Sequence, residues 1–343
     1  MTKVGLIGCG GMGNHHANVL SRMDGVELVA VCDIVEEKAT RLGEKLKVRT
    51  CIDFRDLLDD VEAVWICTEP FKRRDVVITC AAAGKHIFTE KPICVALSEA
   101  DEMIAAARQA GVKYMLGYVL RFTEPYRTLH DTLASGELGE LVTCWTRRYM
   151  PFDMSSRWYG DQKLSGGVML DFGSHDCDWL RWIGGDVKTV LAGARTVRPT
   201  MKAQEHGQVL MMFAAGGMGT FDVSWSSYLS ESSVGVVGTA GAMIVGRDGK
   251  VRKKVGDADE QIVDIQAAMD VDPSGKVGAK DASGKIKAVG RRGETIQEHF
   301  FRCLRDDVEP LTSAIEGRKT LSVIKAAHLS AKRGGCVDVS EVG

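Results

Sequence analysis

A chain of 343 residues, 45% hydrophobic and 26% charged, is neither disordered nor small enough for one ordinary core, so two domains are expected. A balance of 44 basic against 46 acidic residues, net charge −2, excludes a global attraction to nucleic acid or to an anionic membrane. Ten cysteines without a CxxC pair, an N-terminus without a basic and apolar leader, and the lack of an 18-residue apolar run predict a reduced, cytoplasmic protein with no membrane segment.

Short apolar runs at 4–7, 28–31, 63–67, 86–88 and 114–116 alternate with helical patterns near 14–23, 35–46, 73–83 and 98–110. Buried strands alternating with helices predict an α/β Rossmann-type domain, a doubly wound parallel sheet covered on both faces. After residue 121 the pattern changes. Alternating strands are expected at 141–150, 187–197, 208–214, 219–225 and 233–245, with helices near 124–135 and 171–183. Glycine turns between successive strands predict an α+β domain with a large, open, mostly antiparallel sheet. Residues 246–292, rich in Gly, Lys and Asp, read as a hairpin plus a surface flap, with disorder as the alternative. Helical periodicity returns at 294–305 and 313–332. The expected domains are therefore 1–120 and 121–343, with the helix 313–332 able to pack back on the first.

Gly8-Cys9-Gly10-Gly11-Met12-Gly13 fits G-x-G-x-x-G, and it follows a strand and opens a helix. That context suits a dinucleotide: glycines permit the tight turn and the close approach of a pyrophosphate, and the helix N-terminus offers N–H groups to phosphate. Asp33 closes the second strand, where a carboxylate binds ribose hydroxyls and repels a 2′-phosphate. The expectation is NAD rather than NADP. His15 and His16, adjacent in the first helix, point to different faces and read as packing or solvent-exposed.

Two further stretches carry chemistry. In Gly84-Lys85-His86-Ile87-Phe88-Thr89-Glu90-Lys91-Pro92 a lysine follows a strand end, where ligands of open α/β sheets sit, and Pro92 is able to form a cis peptide. In Gly166-Gly167-Val168-Met169-Leu170-Asp171-Phe172-Gly173-Ser174-His175-Asp176-Cys177-Asp178, residues 171, 175 and 178 share one face of a continuous helix. Such a helix suits the lining of a polar cleft between the domains. Oxidising an alcohol needs a proton acceptor, for which histidine is suited, and a cation beside the developing alkoxide. Lys91, Asp171 and His175 supply these types, and no cluster has zinc spacing, so no metal is expected.

These blocks, with HGQVLMMFAAGGMGTFDVSW and GTAGAMIVG, resemble the glucose-fructose oxidoreductase / inositol dehydrogenase / rhizopine-catabolism (Gfo/Idh/MocA) family over nearly the whole chain. The resemblance implies Lys91, Asp171 and His175 as the catalytic set, with histidine as acid/base. It implies Gly8, Gly10, Gly11, Met12, Gly13, Asp33, Thr68, Glu90 and Lys91 around NAD, Thr68 near the nicotinamide. It also implies a sugar or cyclitol substrate and a homodimer or homotetramer formed through the second sheet. One departure is visible: the family commonly reads T-P-x-x-x-H where this chain reads Thr68-Glu69-Pro70-Phe71-Lys72-Arg73, which leaves the local contacts there open. Arg121, Arg157, Trp158 and Asp178 are candidate substrate contacts. The alternatives to a dehydrogenase are an enzyme that retains NAD and oxidises transiently, and a non-catalytic NAD-binding regulator.

Overall fold

The computed structural model describes residues 1–155, 157–246, 248–263 and 293–343. The described chain divides into two compact units. One holds residues 1–117 and 294–318; the other holds 118–263, 293 and 319–343.

The first unit alternates strand and helix: β1 Thr2–Ile7, α1 Gly11–Leu20, β2 Val26–Cys32, α2 Glu36–Leu46, β3 Arg49–Cys51, β4 Ala63–Ile66, α3 Arg73–Ala82, β5 His86–Thr89, α4 Leu97–Gln109 and β6 Tyr114–Leu116. Among the described residues its six strands are all parallel, in the order β3-β2-β1-β4-β5-β6. This is the doubly wound arrangement expected from the sequence. Its order reverses between β1 and β4, which opens a crevice at their C-terminal ends. The central strands are apolar because both faces are covered: Val4, Leu6, Val64, Trp65, Ile66, Ile87 and Phe88 are fully buried. The edge strand β3, with exposed Arg49 and Thr50, has no apolar run by which a sequence reading would find it.

The second unit opens with α5 Tyr126–Ala134 and β7 Leu141–Pro151. Three helices follow, α6 Gln162–Ser165, α7 Gly167–Asp171 and α8 Ser174–Gly184, and then β8 Val187–Arg195, β9 His206–Phe213, β10 Met218–Ser224, β11 Ser226–Gly238, β12 Gly241–Val245, β13 Val251–Val255 and β14 Gln261–Val263. Helix α9 Ile296–Arg305 belongs to the first unit, α10 Ala314–Arg333 begins in the first unit and continues in the second from residue 319, and the short strand β15 Val337–Asp338 lies in the second. Among the described residues the sheet has nine strands in the order β14-β13-β12-β11-β7-β10-β9-β8-β15, and only β7 and β10 pair in parallel. Alternation places Val209, Met211, Phe221 and Val223 inward and buried, while Leu191, Met212, Met218 and Ile244 stand exposed on the other face.

Two expected elements are each divided. The run 233–245 is not one strand but the end of β11, a turn at Thr239–Ala240, and β12. The turn amides donate to Glu140 and Leu138 carbonyls, which satisfies the backbone where the ladder stops. The helix expected over 171–183 is likewise two, α7 and α8, broken at Phe172 and Gly173. Of the stretch 246–292, residues 248–263 contain β13 and β14, and residues 247 and 264–292, with the expected flap, lie outside the described residues. Among the described residues no helix is long and apolar enough to cross a membrane.

Candidate functional site

The glycine turn sits at the crevice in the first unit. Gly8 has φ +98°, and a Cβ there would lie 2.9 Å from the Cys67 carbonyl carbon; a Cβ on Gly13 would lie 1.8 Å from the Gly8 oxygen. Only glycine lets β1, β4 and α1 approach this closely. Gly10 and Gly11 face open space. No side chain caps α1, and its first turn carries no acidic residue, so the amides there suit a diphosphate. Asp33, at the end of β2, is fixed by the Cys9 amide (2.8 Å) and the Val35 amide (2.9 Å). These two donors aim the carboxylate beside the glycine turn. Burial and the Asp33 charge push the Cys9 thiol up to about 12, so it stays protonated. Thr68, just after β4, has a buried hydroxyl with no partner among the described residues. Together the open turn, the bare helix end and the orphaned hydroxyl fit a dinucleotide.

Lys91 follows β5, is half-buried, and precedes a cis Pro92. Below it lies a charged network. Glu90 Oε1 is 2.6 Å from His16 Nε2, and the Gln297 amide nitrogen is 3.2 Å from His16 Nδ1. With the amide as donor, Nδ1 accepts and Nε2–H points at the carboxylate. Burial pushes Glu90 up, but His16, Lys91 and Arg73 more than offset it and hold the carboxyl below its usual value. His16 is thus a partner of the lysine segment and not merely packing; His15 is exposed. Arg73 is directed into the main chain. Its side chain is 1% exposed, and its guanidinium donates to the carbonyls of Glu90, Pro92, Ile93 (3.3 Å) and Thr68 (2.7 Å).

In the second unit Asp171 ends α7 and His175 lies in the first turn of α8; both are half-buried. Between them the Gly173 amide donates back to Val168 (2.9 Å), a wide turn that separates the two helices. The single helical face expected for Asp171, His175 and Asp178 is therefore corrected. Two arginines anchor α8. Arg148 binds the Asp176 carboxylate (2.5–3.1 Å) and the Phe172 carbonyl (2.8 Å) and lies over the Phe172 ring at 4.0 Å. Arg121 grips Asp178 through two bonds of 2.7 and 2.8 Å, with both side chains almost fully buried. Arg121 and Asp178, expected as substrate contacts, satisfy each other in a buried ion pair. Arg157 is exposed, and Trp158 is half-buried with its ring stacked on Tyr159 at 3.9 Å.

The sequence reading missed Arg148, His16 and Gln297 as supports. Only Arg73 carried a signal, as a departure from the family pattern. Gln297 is remote in sequence from His16, and local periodicity cannot pair them.

Residues 2–118 match the family model described as "Oxidoreductase family, NAD-binding Rossmann fold", and residues 126–244 match "GFO/IDH/MocA C-terminal domain". The chain is 30% identical to a myo-inositol 2-dehydrogenase of Thermotoga maritima over 70% of its own length and 73% of that protein's. It is 27% identical to a D-apiose dehydrogenase of Paraburkholderia graminis over 99% of its length and 90% of that protein's. Its fold matches a crystal structure of an oxidoreductase from Agrobacterium radiobacter in complex with NAD+, L-tartaric acid and magnesium. The TM-score is 0.85 at 24% identity, covering 99% of each chain.

Proposed function

The chain belongs to the GFO/IDH/MocA family of NAD-binding oxidoreductases, and we propose that it is a dehydrogenase acting on a secondary alcohol of a cyclitol or sugar. The observation that carries this reading is the co-occurrence of an open glycine turn at the β1/β4 switch point with a half-buried lysine one strand away. The inositol and apiose dehydrogenases among its relatives support the substrate class.

NAD, when bound, supplies the hydride acceptor. Gly8, Gly10, Gly11, Met12 and Gly13 would hold its diphosphate, Asp33 its ribose hydroxyls, and Thr68, Glu90 and Lys91 would border its nicotinamide end. His175 takes the hydroxyl proton, which near-neutral chemistry requires. The Lys91 ammonium donates to the same oxygen and stabilises the charge that develops there. Asp171 orients the imidazole or the substrate. Arg157 and Trp158 are retained as substrate contacts. Copies of the chain would associate through the exposed sheet face bearing Leu191, Met212, Met218 and Ile244.

The test is NAD+ reduction, followed at 340 nm, across a panel of cyclitols and sugars. At least one polyol should be oxidised with NAD+ preferred over NADP+. Lys91→Met and His175→Gln should each lower kcat by about 10²- to 10⁴-fold. Undiminished turnover in either variant removes that residue from the chemistry, and NADH binding without turnover of any polyol favours a regulator.

A further inference from the structure

We propose that Arg73 is a positioning residue: its buried guanidinium ties the carbonyls of Glu90, Pro92 and Ile93 to that of Thr68, and so holds the segment carrying Lys91 against the end of β4. The inference rests on the reading of Lys91 as a catalytic group.

The segment Glu90–Cys94 belongs to no helix or strand, so its carbonyls lack ladder partners. A loop in that condition wanders unless something binds it. Arg73 stands in the first turn of α3, in the same unit, 1% exposed. Burying a guanidinium costs several kcal/mol unless its donors are used. Here its terminal nitrogens are spent on four main-chain oxygens from two separate strand ends. No hydrogen bond from Arg73 to a carboxylate oxygen is among them; the countercharge is Glu90, itself held by His16. One rigid planar group therefore fixes two positions at once: Thr68 and the residues on both sides of Lys91. A histidine, common at this position in the family, has at most two ring N–H groups and cannot bridge four carbonyls.

A purely structural arginine would lower stability and leave the turnover of the folded enzyme alone. A positioning arginine lowers kcat in protein that is folded and binds cofactor. The experiment compares Arg73→Lys, Lys91→Ala and the double variant, using the polyol the panel identifies. Melting and NADH fluorescence titration are measured alongside kcat and KM. Arg73→Lys should bind NADH within about threefold of the parent and lose about 30-fold in kcat. In the Lys91→Ala background the same change should alter the residual rate by less than about threefold, because there is no ammonium left to place. A kcat within about threefold of the parent, or a full 30-fold penalty repeated in the Lys91→Ala background, overturns the inference. Should Arg73→Lys fail to fold, Arg73→His provides the second variant, with kcat expected to fall at least about tenfold while NADH binding holds. If neither variant folds, the role is structural and the inference is overturned. Lys91→Ala alone separates the two levels. Full activity there removes the lysine reading itself, whereas an inactive Lys91→Ala beside an active Arg73→Lys removes only the positioning role.

Discussion

Asp33 is held by two backbone amides before any ligand arrives, at 2.8 and 2.9 Å. Its carboxylate is therefore placed without the entropy cost of ordering a free side chain. Asp33→Ser should weaken NADH binding by about tenfold or more, since hydrogen bonds to a charged group contribute about 1.5–3 kcal/mol, and should narrow the preference over NADPH. Fluorescence titration with both nucleotides reads this directly; equal affinities of parent and variant for NADH would count against ribose binding by Asp33. The glycine turn and Asp33 are legible in the sequence because their chemistry is local: turn, strand end and helix start lie within one βαβ stretch. Arg73 is legible only as an oddity. Its partners lie 5, 17, 19 and 20 residues away in an irregular loop, and no periodicity announces a guanidinium that binds carbonyls.

At the scale of elements, α8 shows how a sequence pattern can be right in residue type and wrong in geometry. Asp171, His175 and Asp178 have helical spacing, yet Phe172 and Gly173 divide the helix and Asp178 is turned over to Arg121. A reading from spacing alone cannot detect an arginine 57 residues away in the same unit. The pair is fully enclosed, so removing one member strands a buried charge. Arg121→Met should cost about 3–5 kcal/mol in urea unfolding, and Arg121→Met combined with Asp178→Leu should cost less than the single change. Arg157→Ala, at an exposed position, should stay within about 0.5 kcal/mol of the parent while raising KM for the true substrate. A stability loss from Arg121→Met no larger than that of Arg157→Ala would mean that the buried pair is not what anchors α8. The aromatic contacts of the first unit have the same element-level character. Trp65 of β4 stacks on Phe88 of β5 at 3.8 Å, and Phe300 of α9 meets Trp65 edge-on at 5.3 Å. Each such pair adds about 0.5–1.5 kcal/mol beyond burial.

For the whole molecule, the class of both sheets was legible and the order of strands was not. Alternation of apolar runs and helices dictates a parallel sheet, and glycine-joined alternating strands dictate an antiparallel one. Among the described strands of the second sheet only β7 and β10 pair in parallel, a long-range pairing that neither strand's pattern encodes. The helix Ile296–Arg305 belongs to the first unit for the same kind of reason: Phe300 finds its partners Trp65 and Phe88 more than 200 residues earlier. Global stability should also depend on pH through half-buried histidines. His328 in α10 is half-buried, and the loss of hydration around its ring lowers its pKa from 6.5 to about 4. His86 and His130 are lowered by burial as well. The unfolded chain therefore takes up protons first, so stability is full above about pH 6.5 and falls as pH drops from there toward 4. His328 alone accounts for about 3 kcal/mol across that window. His328→Gln should flatten the slope of unfolding free energy against pH between 4 and 6.5; an unchanged slope would assign the effect elsewhere. The redox claim itself is tested most directly by single-turnover oxidation of a carbon-deuterated polyol with NAD+, followed by mass analysis of the dinucleotide. The account predicts one deuterium carried into NADH by the parent enzyme and a rate lower by about 10²-fold or more in His175→Gln. Unlabelled NADH, or labelled NADH formed as fast by the variant, would contradict it.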